Sequence, residues 1–155
     1  MNVRLLAAAA LLLASCAPPP PPPKAPEKAP PEPAAEEWYP QVTADLAALN
    51  RKAGAEYRAG RRKEAGRLVV EGQALAARLL AKPHATLAAM EAADDLDLLY
   101  ARLLQDEHNL GWARLVLQKS VARWTNWRPV TPESEQRRKQ ALAGIAAIDR
   151  AIAAQ

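Results

Sequence analysis

The 155-residue chain is 50% hydrophobic and 25% charged, with a formal net charge of +4, one cysteine, four tryptophans and no phenylalanine. That length suits one small domain, and so mild a positive balance excludes the electrostatic footprint of a nucleic-acid-binding protein. A single thiol also excludes an intrachain disulfide, so the fold must be held by packing.

The amino terminus has the layout of a signal peptide. Arg4 supplies a positive charge, residues 5–14 are an unbroken run of Leu and Ala, and small residues then lead to Cys16. Ten apolar residues fall short of the roughly 20 that a membrane-spanning helix needs. Leu13-Ala14-Ser15-Cys16 resembles the lipobox of bacterial lipoproteins. The resemblance implies that residues 1–15 are removed, that the Cys16 thiol is joined to diacylglycerol and that its new amine is acylated. Several acyl chains give the multiple anchors that stable membrane attachment requires. In Gram-negative members an aspartate just after the cysteine commonly retains the protein at the inner membrane. Ala17 stands there instead, which implies lipid anchoring at the outer membrane with the domain facing the periplasm. Loss of Arg4 with the signal takes the net charge from +4 to +3.

Residues 16–37 follow as the lipidated cysteine and a proline-rich tether, with ten of the fourteen prolines between Pro18 and Pro33. Proline removes backbone donors and holds the chain near polyproline II, so this stretch reads as a spacer reaching roughly 65 Å when extended. A proline-rich ligand for an aromatic groove is the alternative use of such a segment.

Residues 38–155 carry helical periodicity throughout, and the expected fold is all-α, a small and mostly antiparallel four-helix domain. Alanine dominates the apolar count, so the core should rest on Leu, Val, Ile, Trp and Tyr. Thr43 is a candidate cap for helix one, in which Val42, Leu46, Leu49, Ala53 and Tyr57 form one face ending near Gly60. A second stripe from Ala65 to Leu79 runs to the Lys82-Pro83 stop, and so short a link makes an antiparallel hairpin. This hairpin, residues 43–81, resembles a tetratricopeptide unit in Gly60 near the turn, Ala65 five positions on and Tyr57 at an aromatic position. The second helix is longer than the family's and no second copy recurs about 34 residues away, so the resemblance implies one hairpin and not a solenoid.

Leu96, Leu103, Leu110, Leu117 and Trp124 then recur every seven residues. Register kept through Asn109 and Gly111 predicts one long helix over residues 86–124, with a break near Asn109 to Gly111 as the alternative. The parallel seam of Leu99, Asp106, Ala113 and Ser120 is half polar, so the ladder should pack within the chain and not as a zipper dimer. Thr131 and Pro132 open the last helix, whose expected core face is Leu142, Ile145, Ile148 and Ile152. Glu133 with Arg137 and Glu135 with Lys139 are candidate surface pairs at i,i+4.

Chemistry-bearing residues are few. Only His84 and His108, with Ser120 and Ser134, follow the tether, and no catalytic motif is present, so neither an enzyme nor a cofactor is expected. Glu91, Asp94 and Asp95 share a helical face but lack a loop to cage calcium, and the consecutive Asp106, Glu107 and His108 point apart on a helix. No metal site is therefore expected. The segment RWTNWRP, residues 123–129, is the most suggestive. Arg123, Trp124, Trp127 and Arg128 are of the residue types that anchor interfaces and that stack on sugars or bind anionic headgroups. Trp124 also ends the leucine ladder, which would place it in the core. The expected function is noncatalytic: an outer-membrane lipoprotein whose periplasmic domain binds an envelope protein partner. The alternative is a glycan or anionic lipid held by the Trp/Arg cluster.

Overall fold

The computed structural model describes residues 36–154. The expected signal segment, Cys16 and the tether through residue 35 lie outside the described residues. Five helices make up the domain: α1 (Trp38–Arg58), α2 (Arg62–Leu80), α3 (Leu87–Asp106), α4 (Leu110–Asn126) and α5 (Pro132–Ala153). The described residues contain no strand, so the all-α expectation holds, with one helix more than the periodicity indicated.

Helix α1 begins five residues before its expected cap. Pro40 sits in its first turn, where a missing N–H costs nothing, and Thr43 lies inside the helix with its hydroxyl donating to the Tyr39 carbonyl at 2.9 Å. At the other end Gly60 takes a φ of 76°, its N–H reaching the Tyr57 carbonyl while Arg61 N–H reaches Glu56. This is a Schellman stop, and it turns the chain into α2 as the glycine predicted.

The long helix expected over residues 86–124 is in fact two. Thr86, at the expected start of the long helix, is the cap of α3, its side chain accepting from Ala89 N–H. Beyond Asp106 the chain makes the same stop as at Gly60, with His108 at φ 57° in the glycine position. His108 N–H bonds the Gln105 carbonyl and Asn109 N–H the Leu104 carbonyl at 2.7 Å. The ladder keeps its seven-residue count because each helix carries its own stripe, and the turn happens to preserve the number. Leu96 and Leu103 pack with α1 and α2, Leu117 packs with α5, and Leu110 is only half-buried. His108→Gly relieves a left-handed residue that costs about 1 to 2 kcal/mol, against the larger backbone entropy of glycine. Urea melts should therefore show unchanged or slightly raised stability. A loss near 1 kcal/mol, the penalty of glycine within a continuous helix, would contradict the break.

Helix α1 packs on α2 and α3, α2 on α3, α3 on α4, and α4 on α5. One apolar cluster joins α1, α2 and α3 around Tyr39, Leu46, Val69, Leu79 and Leu96, and a second joins α3, α4 and α5 around Ala101, Leu104, Leu117 and Ile148. Helix α3 belongs to both, which accounts for ten buried residues among its twenty. Gly72 lets α2 approach closely, since a Cβ there would lie 2.9 Å from Leu96 Cδ1.

Helix α5 opens with Thr131 and Ser134 in a reciprocal capping box, as its first residues suggested. Its core face differs from expectation. Ser134, Ala141 and Ile148 are buried, whereas Leu142 and Ile152 are 41% and 44% exposed. Because α5 packs chiefly on one helix, its buried stripe is narrow.

Candidate functional site

Asp94, Asp97, Ala101 and Leu104 form the face of α3 turned toward α4, apolar at one end and charged at the other. The charged end meets Ser120 and Arg123, three apart on α4. Arg123 reaches Asp94 Oδ1 at 3.1 Å and Asp97 Oδ2 at 2.6 Å, and the Ser120 hydroxyl donates to Asp94. The side chains of Arg123 and Asp94 are 5% and 0% exposed. Lys119 adds a rim contact to Asp97 at 3.1 Å.

From α5, Arg137 reaches Asp95 at 2.7 Å, Asp94 at 3.4 Å and Glu91 at 3.7 Å, with its guanidinium 5.7 Å from the Trp124 ring centroid. Burial works against its charge. The hydrogen bond to Asp95, with the charges of Asp95, Asp94 and Glu91, outweighs this and holds the Arg137 pKa above the ordinary arginine value. The acidic trio weighed as a cation site is thus gathered on one arginine. Arg137 takes its partners from α3 and not from Glu133, and Glu135 pairs with Arg138 and not Lys139.

The four residues expected to bind a partner separate accordingly. Arg123 belongs to the buried ion network. Trp124 is 2% exposed, and its ring meets Trp127 edge-on with centroids 6.2 Å apart. Trp127 is half-buried, and both indole N–H groups are buried without an acceptor among the described residues. Arg128 is exposed but folds back, donating to the carbonyls of Thr125 at 2.9 Å and Trp127 at 2.6 Å. It satisfies the last carbonyls of α4, a helix-capping task. Trp127 and Arg128 border a hollow with His84 and Asn126, but the cluster as a whole is chiefly architecture.

Other candidates are engaged as well. Asp106 pairs with Arg62 at 2.7 Å, and that bond holds its carboxyl below the usual carboxylate range. Glu107 and His108 form the turn. Ser120 and Ser134 are buried in the contacts already given.

A more open feature runs along the outer face of α3, between α1 and α5. Two adjoining hollows of about 600 and 580 Å³ share Glu91, Asp95 and Arg137. The first is walled by small and apolar groups near the start of α1, including Tyr39, Pro40, Ala44, Ala47 and Ala88. The second sets polar side chains beside Leu98 and Leu99, with Asn50, Arg51 and Gly54 from α1, Arg102 from α3, and Gln136 and Gln140 from α5. Asn50 spans the groove floor by donating to the Ala92 carbonyl at 2.6 Å, and its own side-chain carbonyl is buried without a donor. Sequence reasoning missed the groove because its walls come from helices far apart in the chain, from Tyr39 of α1 to Gln140 of α5.

Where the chain enters the domain is also defined. Glu36 bonds Lys82 at 2.6 Å and the Trp38 indole at 2.7 Å, and these bonds lower its pKa, while Arg78 lies 4.0 Å over the Trp38 ring. The tether therefore joins the domain at the end holding the α2–α3 and α4–α5 connections. No protein-family model, curated protein or solved structure matches this chain.

Proposed function

We propose that this chain is an outer-membrane-anchored lipoprotein whose helical domain is a noncatalytic protein-interaction module of the periplasmic envelope, held on a proline-rich spacer from Cys16. The groove between α1 and α5 carries this reading. It is elongated, combines apolar and polar stretches, and offers side-chain amides able to pair with a peptide backbone. The described helices include none long and apolar enough to cross a membrane, so attachment in this reading falls to the lipid. The polar network beneath the groove supplies rigidity, because each of its carboxylates already has a cation.

A photo-crosslinking amino acid at Ala44, on the groove's wall, should give adducts with an envelope protein in intact cells. The same group at Val70, exposed on α2 outside the groove, should not. Cys16→Ala should abolish labelling by radioactive fatty acid and reduce the Ala44 adducts. Equal adducts from both positions, or fatty-acid labelling that survives without Cys16, would sink the proposal.

A further inference from the structure

We propose that the groove takes its partner by an acidic segment, seated at the end farthest from the tether. This deepens the groove reading and rests on it. Residues 51–63 hold six cations against one acid, Glu56. Arg61 and Arg62 are spent on Glu56 and Asp106. Arg51 and Arg58 are not. They lie on one face of α1 with Gly54 between them, and Arg58 Nη1 comes within 3.4 Å of where a Gly54 Cβ would stand. Arg51, Gly54 and Arg102 line the same hollow. Among the described residues none of the three arginines has a carboxylate partner.

The acids nearest in the groove cannot serve them, since Glu91 and Asp95 are held by Arg137. Arg51 and Arg102, which line the hollow beside Gly54 with Arg58 one turn farther along α1, offer guanidinium groups to carboxylates, which arginine engages with paired N–H donors. Glu133, the lining carboxylate without a cation among the described residues, stands on the opposite wall. It gives the groove a polarity, with the partner's acidic end at Arg51 and Arg102 and a neutral or basic end toward α5. A peptide fits better than a lipid surface for two reasons. Gln136 and Gln140 offer donors and acceptors along the groove, and Arg51 stands 13 residues beyond Trp38 on α1, about 20 Å from the tether's entry.

The test uses the purified full chain and a fluorescein-labelled peptide of alanines followed by glutamates, beside a counterpart with glutamine in place of glutamate. Anisotropy should show the glutamate peptide bound in a salt-sensitive way and the glutamine peptide at least about tenfold weaker. Arg51→Glu with Arg102→Glu should weaken the glutamate peptide by a similar factor while the circular-dichroism melt stays unchanged, because both side chains are exposed. Equal binding of the two peptides, or indifference to the charge reversal, overturns this inference and leaves the groove reading intact. Loss of the Ala44 crosslink in cells with glutamate binding retained overturns the groove reading instead. Binding to phosphatidylglycerol vesicles through the same arginines, with neither peptide bound, assigns the cluster to a lipid surface and also overturns it.

Discussion

Arg123→Ala should lower the stability of the domain by roughly 3 to 5 kcal/mol, the range for removing one partner of a buried ion pair. The guanidinium holds Asp94 and Asp97 together in the α3–α4 interface, and alanine would leave two buried carboxylates short of a cation. Arg137 and Lys119 touch the same acids from the rim and would offset part of the loss. Removing both signs tests the cause. Arg123→Met combined with Asp94→Asn and Asp97→Asn should recover most of the stability, since buried ion pairs replaced together are often neutral. Urea denaturation followed by circular dichroism reads both variants. A melt of Arg123→Ala close to wild type would show that the guanidinium is solvated.

Trp124→Ala should cost a comparable amount, about 3 to 5 kcal/mol, as a fully buried large side chain. The indole fills the space between the ion network and Trp127, with Arg137 over its face. Trp124→Phe should cost under about 2 kcal/mol, because the indole N–H has no acceptor among the described residues and its removal breaks no hydrogen bond there. If Phe proved as costly as Ala, the N–H would have to be paired, and the packing account would be wrong.

Local signals in the sequence translated directly into structure where they act within a few residues. Gly60 ends α1, Thr86 caps α3, and Thr131-Pro132 opens α5, each through bonds to neighbours three or four positions away. The turn at His108 escaped because a non-glycine residue occupies the left-handed position and the leucine count runs on across it. Long-range pairing was beyond reach for a different reason. Arg123 is bonded to acids 29 and 26 positions earlier, and nothing local distinguishes it from the exposed Arg128. The readable clue was a matched spacing: Asp94 and Asp97 three apart inside an apolar helix, and Ser120 and Arg123 three apart on the next.

The sharing of α3 between both apolar clusters makes the groove's two walls unequal in motion. To release α3, or the α1–α2 pair packed on it, the molecule must give up the first cluster, an opening close to global unfolding. Helix α5 contributes Ile148 and partly buried Ile145 to the smaller cluster and reaches α3 through Arg137. Its separation would uncover Leu117 of α4 and the rest of the smaller cluster but leave the first cluster packed. Slow amide exchange therefore belongs to α3 and fast exchange to α5, and the groove can widen by an excursion of its C-terminal wall alone. A partner bulkier than an extended chain would enter from that side, and filling the groove would quiet the helix that moves most.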